Sequence, residues 1–158
     1  MKTESSVCVF RRWCESGKKI LKQELKAIIR EEESVFTQAV NLEERANAVQ
    51  NIQKHPVALN SSTTSFAEIE KDGVSKIVAA SSRPQFSKAQ RNSLQLGETE
   101  VKGTGHAETT IIKYANKHGY TVKRIAASRP ICTSCEPIIR THNQEVKFES
   151  ALKSSKKR

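Results

Sequence analysis

Aromatic residues and long apolar runs are both scarce in this chain. Phe, Trp and Tyr together make up 5% of its 158 residues, which argues against extensive platforms for stacking nucleic-acid bases. No apolar run approaches the roughly 20 residues of a membrane-spanning helix, and the N-terminus lacks the apolar core of a signal peptide. We therefore expect a soluble chain, although a domain cut from a larger exported protein would look the same.

Acidic residues are also under-represented. The chain has 17 Asp and Glu against 27 Lys and Arg, a formal net charge of +10. Such an imbalance favours polyanionic partners and raises the rate at which they are encountered, so nucleic acid is the first candidate. The alternative is that lysine simply solvates the surface. With 36% hydrophobic and 28% charged residues, the composition is that of one globular domain.

Apolar residues at helical spacing predict two amphipathic helices near the N-terminus. The first covers 18–31, and the second starts at the capping box of Asn41 and Glu44 and ends before Pro56. We expect both helices to pack on a sheet. The polar segment 60–65 is predicted to be a linker or loop.

A β-hairpin is predicted next in the chain. The apolar runs from Phe66 to Lys71 and from Val74 to Ser82 flank Asp72-Gly73, a dipeptide that suits a type I′ turn. The polar segment 83–105 has weak periodicity and is predicted to be a long loop with room for a short helix.

The second half of the chain alternates between helical and extended patterns. Gly119 ends a helical run, and the largely apolar stretch after it suits a buried strand. The predicted helix, strand, helix and strand cover 105–119, 120–128, 132–140 and 145–150.

The predicted fold class is α/β, with one mixed sheet flanked by helices in the order α-α-β-β-α-β-α-β. Within it we expect an N-terminal helical segment at 1–60, a core at 61–152 and a basic tail at 153–158. Cys8 and Cys14 lack enough neighbouring ligands for a metal site and are expected to be free thiols.

Two short motifs in this second half together make a metal-ligand set. His106 and Glu108 begin one predicted helix, and Cys132 and Cys135 begin the next, shortly after Pro130. Structural zinc sites use four protein ligands, whereas one His and two Cys leave the fourth tetrahedral position open to water. Spacing of three residues puts the two sulfurs on one helix face, where the positive helix end favours thiolate.

This ligand set indicates hydrolytic chemistry. Zinc lowers the pKa of a bound water, and Glu108 would accept that proton and pass it to a leaving amino group. The pattern H-x-E…P-C-x-x-C is the signature of zinc deaminases that act on nucleobases. Glu108 as a fourth ligand would block this reaction, and the C-x-x-C alone is also compatible with a redox dithiol or half of a structural zinc site.

On these motifs, residues 64–150 resemble the cytidine deaminase-like superfamily, and the compact arrangement is similar to the deaminase domains of bacterial polymorphic toxins. The resemblance implies zinc on His106, Cys132 and Cys135, with Glu108 as proton shuttle. It also implies nucleic-acid bases as targets, often cytosine in DNA or RNA, and an immunity protein as partner. One departure is Ile131, which separates the family's Pro from the first Cys.

The leading hypothesis is a zinc-dependent deaminase that converts cytosine to uracil in single-stranded DNA or RNA, as the effector domain of a bacterial toxin. Because the thiolates must stay reduced to bind metal, we expect it to act in the cytosol of a target cell. Two alternatives stay open: a deaminase of free nucleosides or bases, and a non-catalytic zinc-containing nucleic-acid-binding domain.

Substrate contacts are predicted from position along the chain. His142 follows the second metal helix, either near the pocket or, as we prefer, in a surface loop. Residues at the hairpin ends and before His106 are expected to line the base pocket: Phe66, Ser81, Ser82 and Thr104. Basic residues expected to contact phosphates are Arg83, Lys88 and Arg91, with Lys113, Lys117 and the tail 156–158 as further candidates.

Overall fold

One mixed sheet with helices on both faces forms the centre of the fold, as the sequence predicted, and it has five strands where the predicted order had four. The computed structural model describes residues 20–28 and 40–153. Cys8, Cys14 and the tail 154–158 lie outside these ranges. The helices are α1 (20–28), α2 (Leu42–Asn51), α3 (Pro56–Ser61), α4 (Lys88–Asn92), α5 (Ala107–His118) and α6 (Cys135–His142). The strands are β1 (Thr64–Lys71), β2 (Val74–Ser81), β3 (Glu98–Val101), β4 (Thr121–Ala127) and β5 (Lys147–Phe148).

The strand directions decide where the loops of the sheet meet. The spatial order is β3-β2-β1-β4-β5, and β1 is antiparallel to both of its neighbours. Because β3 is parallel to β2 and β5 is parallel to β4, the four strands other than β1 all run the same way. The loops that follow β2, β3 and β4 therefore lie at one edge of the sheet, where open α/β sheets bind their ligands.

The predicted hairpin is confirmed. Thr64 pairs with Ser81 at one end of the ladder and Lys71 with Val74 at the other. Asp72 and Gly73 have φ angles of 53° and 74°, the left-handed conformation that a type I′ turn requires at both central residues.

The predicted linker at 60–65 is reduced to residues 62 and 63, between α3 and β1, and a buried glutamine satisfies polar groups of this segment. Gln50 donates from Nε2 to the Leu59 and Ser62 carbonyl oxygens, both at 2.9 Å. Its Oε1 accepts from the Thr64 hydroxyl at 2.8 Å. A polar segment can therefore end α3 and begin β1 inside the protein, since its hydrogen bonds are made there.

Each face of the sheet has its own core. Side chains alternate along β1, so that Phe66 faces α2 while Ala67 faces α5. The α2 face is filled by Leu42, Ala46, Val49, Phe66, Ile77, Ala79, Phe86 and Ala126. The α5 face includes Ala67, Ile69, Val78, Ile111, Ala115, Ile125 and Ile139.

Of the two predicted N-terminal helices, only the second packs on the sheet. The α2 helix contacts β1 and β4. Every residue of α1 is exposed, including Leu21, Leu25 and Ile28 at 67%, 59% and 54%. The expectation that 18–31 packs on the sheet is therefore wrong for its described part, because α2 and Phe86 already cover that face.

The segment 83–105 is more ordered than the predicted loop. The α4 helix begins with a capping box between Ser87 and Gln90, and β3 adds a parallel strand to β2. The sequence of β3 is polar, but Glu98 pairs with Arg45, and Glu100 accepts from the Phe86 N–H at 2.7 Å. Because of these partners, which are distant in sequence, the segment forms a strand although its apolar residues do not alternate.

Within the described ranges, no helix has the length and apolar character to cross a membrane.

Candidate metal centre

Two loops at one edge of the sheet bring the predicted ligands together. His106 follows β3 and caps α5, as predicted. Cys132 follows β4, and Cys135 is the first residue of α6. Cys132 thus precedes the helix in which it was predicted, and its carbonyl oxygen accepts from the Cys135 N–H at 3.0 Å. Because β3 and β4 run in the same direction, both loops reach the same edge.

The three ligand atoms are in mutual contact. His106 Nδ1 lies 3.3 Å from Cys132 Sγ and 3.2 Å from Cys135 Sγ, and the two sulfurs are 2.8 Å apart. His106 is exposed, Cys132 half-buried and Cys135 buried. One imidazole nitrogen and two sulfurs are ligands that zinc accepts, and they leave a tetrahedral position open. This group can hold a metal ion.

The two thiols differ in how readily they ionise. Burial disfavours both thiolates, but hydrogen bonds from Cys135 and Ser134 outweigh it at Cys132 and lower the pKa of that thiol to about 7. Burial and the contact with Cys132 raise the pKa of Cys135 to about 12. At neutral pH the metal-free pair therefore keeps the proton of Cys135, while Cys132 is partly ionised, and a metal ion would displace the remaining protons.

Glu108 lies in the first turn of α5, beside the ligands but outside their group. Among the residues that the structure describes, the ligand atoms that lie within 4.8 Å of one another come from His106, Cys132 and Cys135. Glu108 is 4% exposed, and burial raises the pKa of its carboxyl group. Burial favours the protonated form of this carboxyl group, which suits a group that first accepts a proton and then donates it.

A cavity of about 260 Å³ opens beside these residues, and we call it the metal cavity. It is lined by residues of both motifs, of the segment from the end of α3 to β1, and of the loop after β2. Its lining residues are Ser61, Thr63, Ser82, His106, Ala107, Glu108, Arg129, Pro130 and Cys132.

Of the four predicted pocket residues, Ser82 lines the metal cavity. Ser81 is 3% exposed, and its hydroxyl accepts from the Arg83 N–H. Phe66 is fully buried between the sheet and α2, and Thr104 lines a neighbouring cavity. The assignment of Phe66 fails because the pleat turns alternate residues of β1 to opposite faces, and the sequence did not tell which face carries the site.

The predicted phosphate contacts Arg83, Lys88 and Arg91 are exposed and lie outside the walls of the metal cavity. Arg91 is 3.9 Å from Glu100. Their role stays a prediction. His142 is the last residue of α6; its Nε2 accepts from the Val122 N–H at 3.1 Å, and its Nδ1 lies 2.7 Å from Asn116 Oδ1.

Five lining residues were not among the predicted site residues: Ser61, Thr63, Ala107, Arg129 and Pro130. Arg129 joins the loop after β4 to the end of α3, since its Nη2 donates to the carbonyl oxygens of Leu59, at 3.1 Å, and Asn60. Its place directly before the cysteine motif was a signal in the sequence. Ser61 and Thr63 gave no such signal, because only the pairing of β1 with β4 brings them to the site.

Ile131, which departs from the family pattern, has a structural role. It is 1% exposed, forms a bridge with Leu152, and its N–H donates to the Ala151 carbonyl at 2.9 Å. The extra residue thus anchors the loop in the core while Cys132 still reaches the ligand group.

No family model, curated protein or solved structure matches the chain. The family resemblance stays a prediction that depends on the motifs.

Proposed function

We propose that this protein is a zinc-dependent deaminase that converts cytosine to uracil within single-stranded DNA or RNA. The observation that supports this most is the buried carboxyl group of Glu108, on the wall of one cavity with His106 and Cys132. Three metal ligands beside a carboxyl group that lies outside the ligand set suit hydrolysis, whereas a structural zinc site would have four protein ligands.

His106 Nδ1, Cys132 Sγ and Cys135 Sγ would hold the zinc ion. When bound, zinc would supply a water of lowered pKa at the position left open. The immediate neighbours of the sulfurs support this role: Ser134 Oγ lies 3.1 Å from Cys132 Sγ, and Thr109 Oγ1 lies 3.8 Å from Cys135 Sγ. Hydroxyl groups there can donate to thiolates and hold their positions.

Glu108 would move the proton. Its carboxylate accepts a proton from the water that attacks C4 of cytosine, and delivers it to the exocyclic amino nitrogen. The C4–N bond then breaks and ammonia leaves. The oxygen of the water remains on C4 as the carbonyl of uracil, and the second proton of the water ends on N3. Burial favours the second half of this transfer, since it raises the pKa of Glu108 and so allows the protonated acid to form.

The metal cavity suits one base. Its volume of about 260 Å³ lies just below the roughly 300–1,000 Å³ of pockets for drug-sized ligands. Ser82 Oγ accepts from the Thr63 N–H at 2.9 Å, which leaves its hydroxyl proton for an acceptor on the base. A base in a duplex would have to be flipped out, and a single strand avoids that cost. The net charge of +10 favours a polynucleotide over a free nucleoside.

The biological setting is proposed from the resemblance alone. A toxin domain of this kind would act in the reducing cytosol of a target cell, where its thiols remain available to zinc. A neutralising immunity protein would then be its partner in the producing cell.

The direct test uses zinc-loaded protein and single-stranded oligonucleotides that differ only in one central base. We expect ammonia release and an amine-to-carbonyl mass change with cytosine. Glu108→Gln should retain zinc and lose this activity, whereas Glu145→Gln, which changes an exposed carboxylate, should retain both. Whole-genome sequencing after brief expression should show C-to-T changes if DNA is the target.

Three outcomes would change the proposal. Faster turnover of cytidine than of the oligonucleotide would overturn the polymeric substrate. Mass changes at adenine instead would overturn the assignment of the base. Stoichiometric zinc without ammonia from any DNA, RNA or nucleoside would refute the deaminase and leave a non-catalytic zinc domain.

A further inference from the structure

A second cavity lies between α5 and the loop after β3 that leads to His106. Its volume is about 310 Å³, and we call it the lysine cavity. Three lysines, Lys102, Lys113 and Lys117, contribute to its walls, and no acidic side chain does. The remaining lining residues are Gly103, Thr104, Thr110, Tyr114 and His118.

The charges of this cavity are uncompensated. Lys102, Lys113 and Lys117 are exposed, and none has an ion-pair or hydrogen-bond partner for its ammonium group among residues 20–28 and 40–153. Lys113 and Lys117 are four residues apart on one helix face, a spacing at which like charges repel. An anion between them would remove that repulsion.

The wall of the cavity also contains an unpaired hydroxyl group. Thr110 is 4% exposed, and its Oγ1 has no hydrogen-bond partner in the described part of the chain. Gly103 packs so closely on Thr110 that a Cβ at this position would lie 2.6 Å from Thr110 Cγ2. The glycine thus lets the loop pack against Thr110 and close one end of the cavity, and the threonine hydroxyl oxygen is itself buried.

The position of the lysines relates the two cavities. Lys113 and Lys117 follow His106 by seven and eleven residues, so at about 1.5 Å per helical residue they lie roughly 10 and 16 Å along the α5 axis from the metal ligand. A strand with a rise of about 3.4 Å per nucleotide covers this distance in about three to five nucleotides, and a stretched strand in fewer. One strand can therefore reach both cavities.

We propose that the lysine cavity binds backbone phosphate of the strand whose target base occupies the metal cavity. This phosphate site rests on the proposed function. It would give the substrate strand a second contact with the protein, which a free nucleoside lacks, and would therefore favour a polymer. Phosphate oxygens match what the cavity offers, since they accept from the ammonium donors of its lysines and carry the opposite charge. The site positions the strand without reading its sequence.

The test compares two double variants of equal net charge. Lys113→Gln/Lys117→Gln removes the helix lysines of the cavity, and Lys123→Gln/Lys147→Gln removes exposed lysines of β4 and β5 outside both cavities. Binding of a labelled oligothymidylate is measured by fluorescence anisotropy over a range of KCl concentrations. Two lost phosphate contacts should reduce the slope of log K against log[salt] by about 1.4, at about 0.7 per contact for single strands.

The control variant should keep the wild-type slope. Equal losses in both double variants would overturn the proposal, since they would mean that only overall charge matters. Saturable binding of inorganic phosphate that depends on Lys113 and Lys117, with unchanged oligothymidylate binding, would also overturn it and assign the cavity to a free phosphate compound.

Oligothymidylate contains no cytosine, so this measurement is independent of turnover. A slope that falls in the cavity variant, in a protein that deaminates no base, would support the phosphate site and refute the proposed function. Deamination of cytosine together with an unchanged slope in the cavity variant would support the proposed function and refute the phosphate site.

Discussion

The ion pair between Arg45 on α2 and Glu98 on β3 anchors the strand that leads into His106. Arg45 Nε lies 2.6 Å from Glu98 Oε1, and Nη2 lies 2.7 Å from Oε2. The Glu98 side chain is 1% exposed and that of Arg45 is 16% exposed. Since β3 has only four residues and pairs on one side with β2, we expect Glu98→Gln to destabilise both the fold and the metal centre.

The expected loss of stability in Glu98→Gln follows from the burial and the geometry of the ion pair. Removing one partner of a buried pair costs about 3–5 kcal/mol, whereas exposed pairs contribute about 0.2–1 kcal/mol. The amide nitrogen of the glutamine would present a donor to the guanidinium, which can only donate, and Arg45 is exposed enough for water to replace part of the lost contact. We therefore expect Glu98→Gln to lower the free energy of unfolding by about 2–3 kcal/mol.

The assay is urea unfolding at neutral pH, with zinc affinity measured in parallel by chelator competition. Glu70→Gln is the matched control, because Glu70 and Lys123 are 3.4 Å apart with side chains 37% and 44% exposed. It should cost less than about 1 kcal/mol and leave zinc affinity unchanged. A Glu98→Gln variant no less stable than Glu70→Gln, or one that binds zinc as tightly as the wild type, would refute this reasoning.

Three further predictions concern the site and its supports. Glu108→Gln should lower turnover about 10²–10⁴-fold with zinc retained. Because burial raises the pKa of Glu108, the metal-free wild type should lose stability as the pH rises above about 4.3. A Glu108→Gln variant that lost as much stability over the same pH range would contradict this cause. Burial lowers the pKa of His142, so stability should fall as the pH drops below about 6.5. In His142→Gln the midpoint of urea unfolding should depend less on pH over this range. Gly103→Ala should lower the free energy of unfolding by about 1–3 kcal/mol and weaken zinc binding, since the added Cβ would collide with Thr110. An unchanged melting temperature and an unchanged zinc affinity in chelator competition would exclude the close contact.

Local chemistry explains which parts of the fold were predictable. Asp72-Gly73 adopts positive φ with little strain, so the hairpin formed where expected. Gly119 ended α5 in the left-handed conformation as predicted, because it lacks a Cβ. The strand β3 was missed since Glu98 and Glu100 depend on Arg45 and the Phe86 N–H, partners far away in sequence.

The sequence by itself determined the ligand types, their spacing and the helix starts that carry them, because these depend on residue identity and on contacts a few positions apart. His106, Glu108, Cys132 and Cys135 could therefore be named in advance as a metal set with its carboxyl group. Only the tertiary structure decided that β3 and β4 run the same way, which brings the ligands together and adds Arg129 and Thr63 to their cavity. It also buried Phe66 on the opposite face and grouped the lysines along α5, since faces and cavities depend on strand pairing and packing between distant segments.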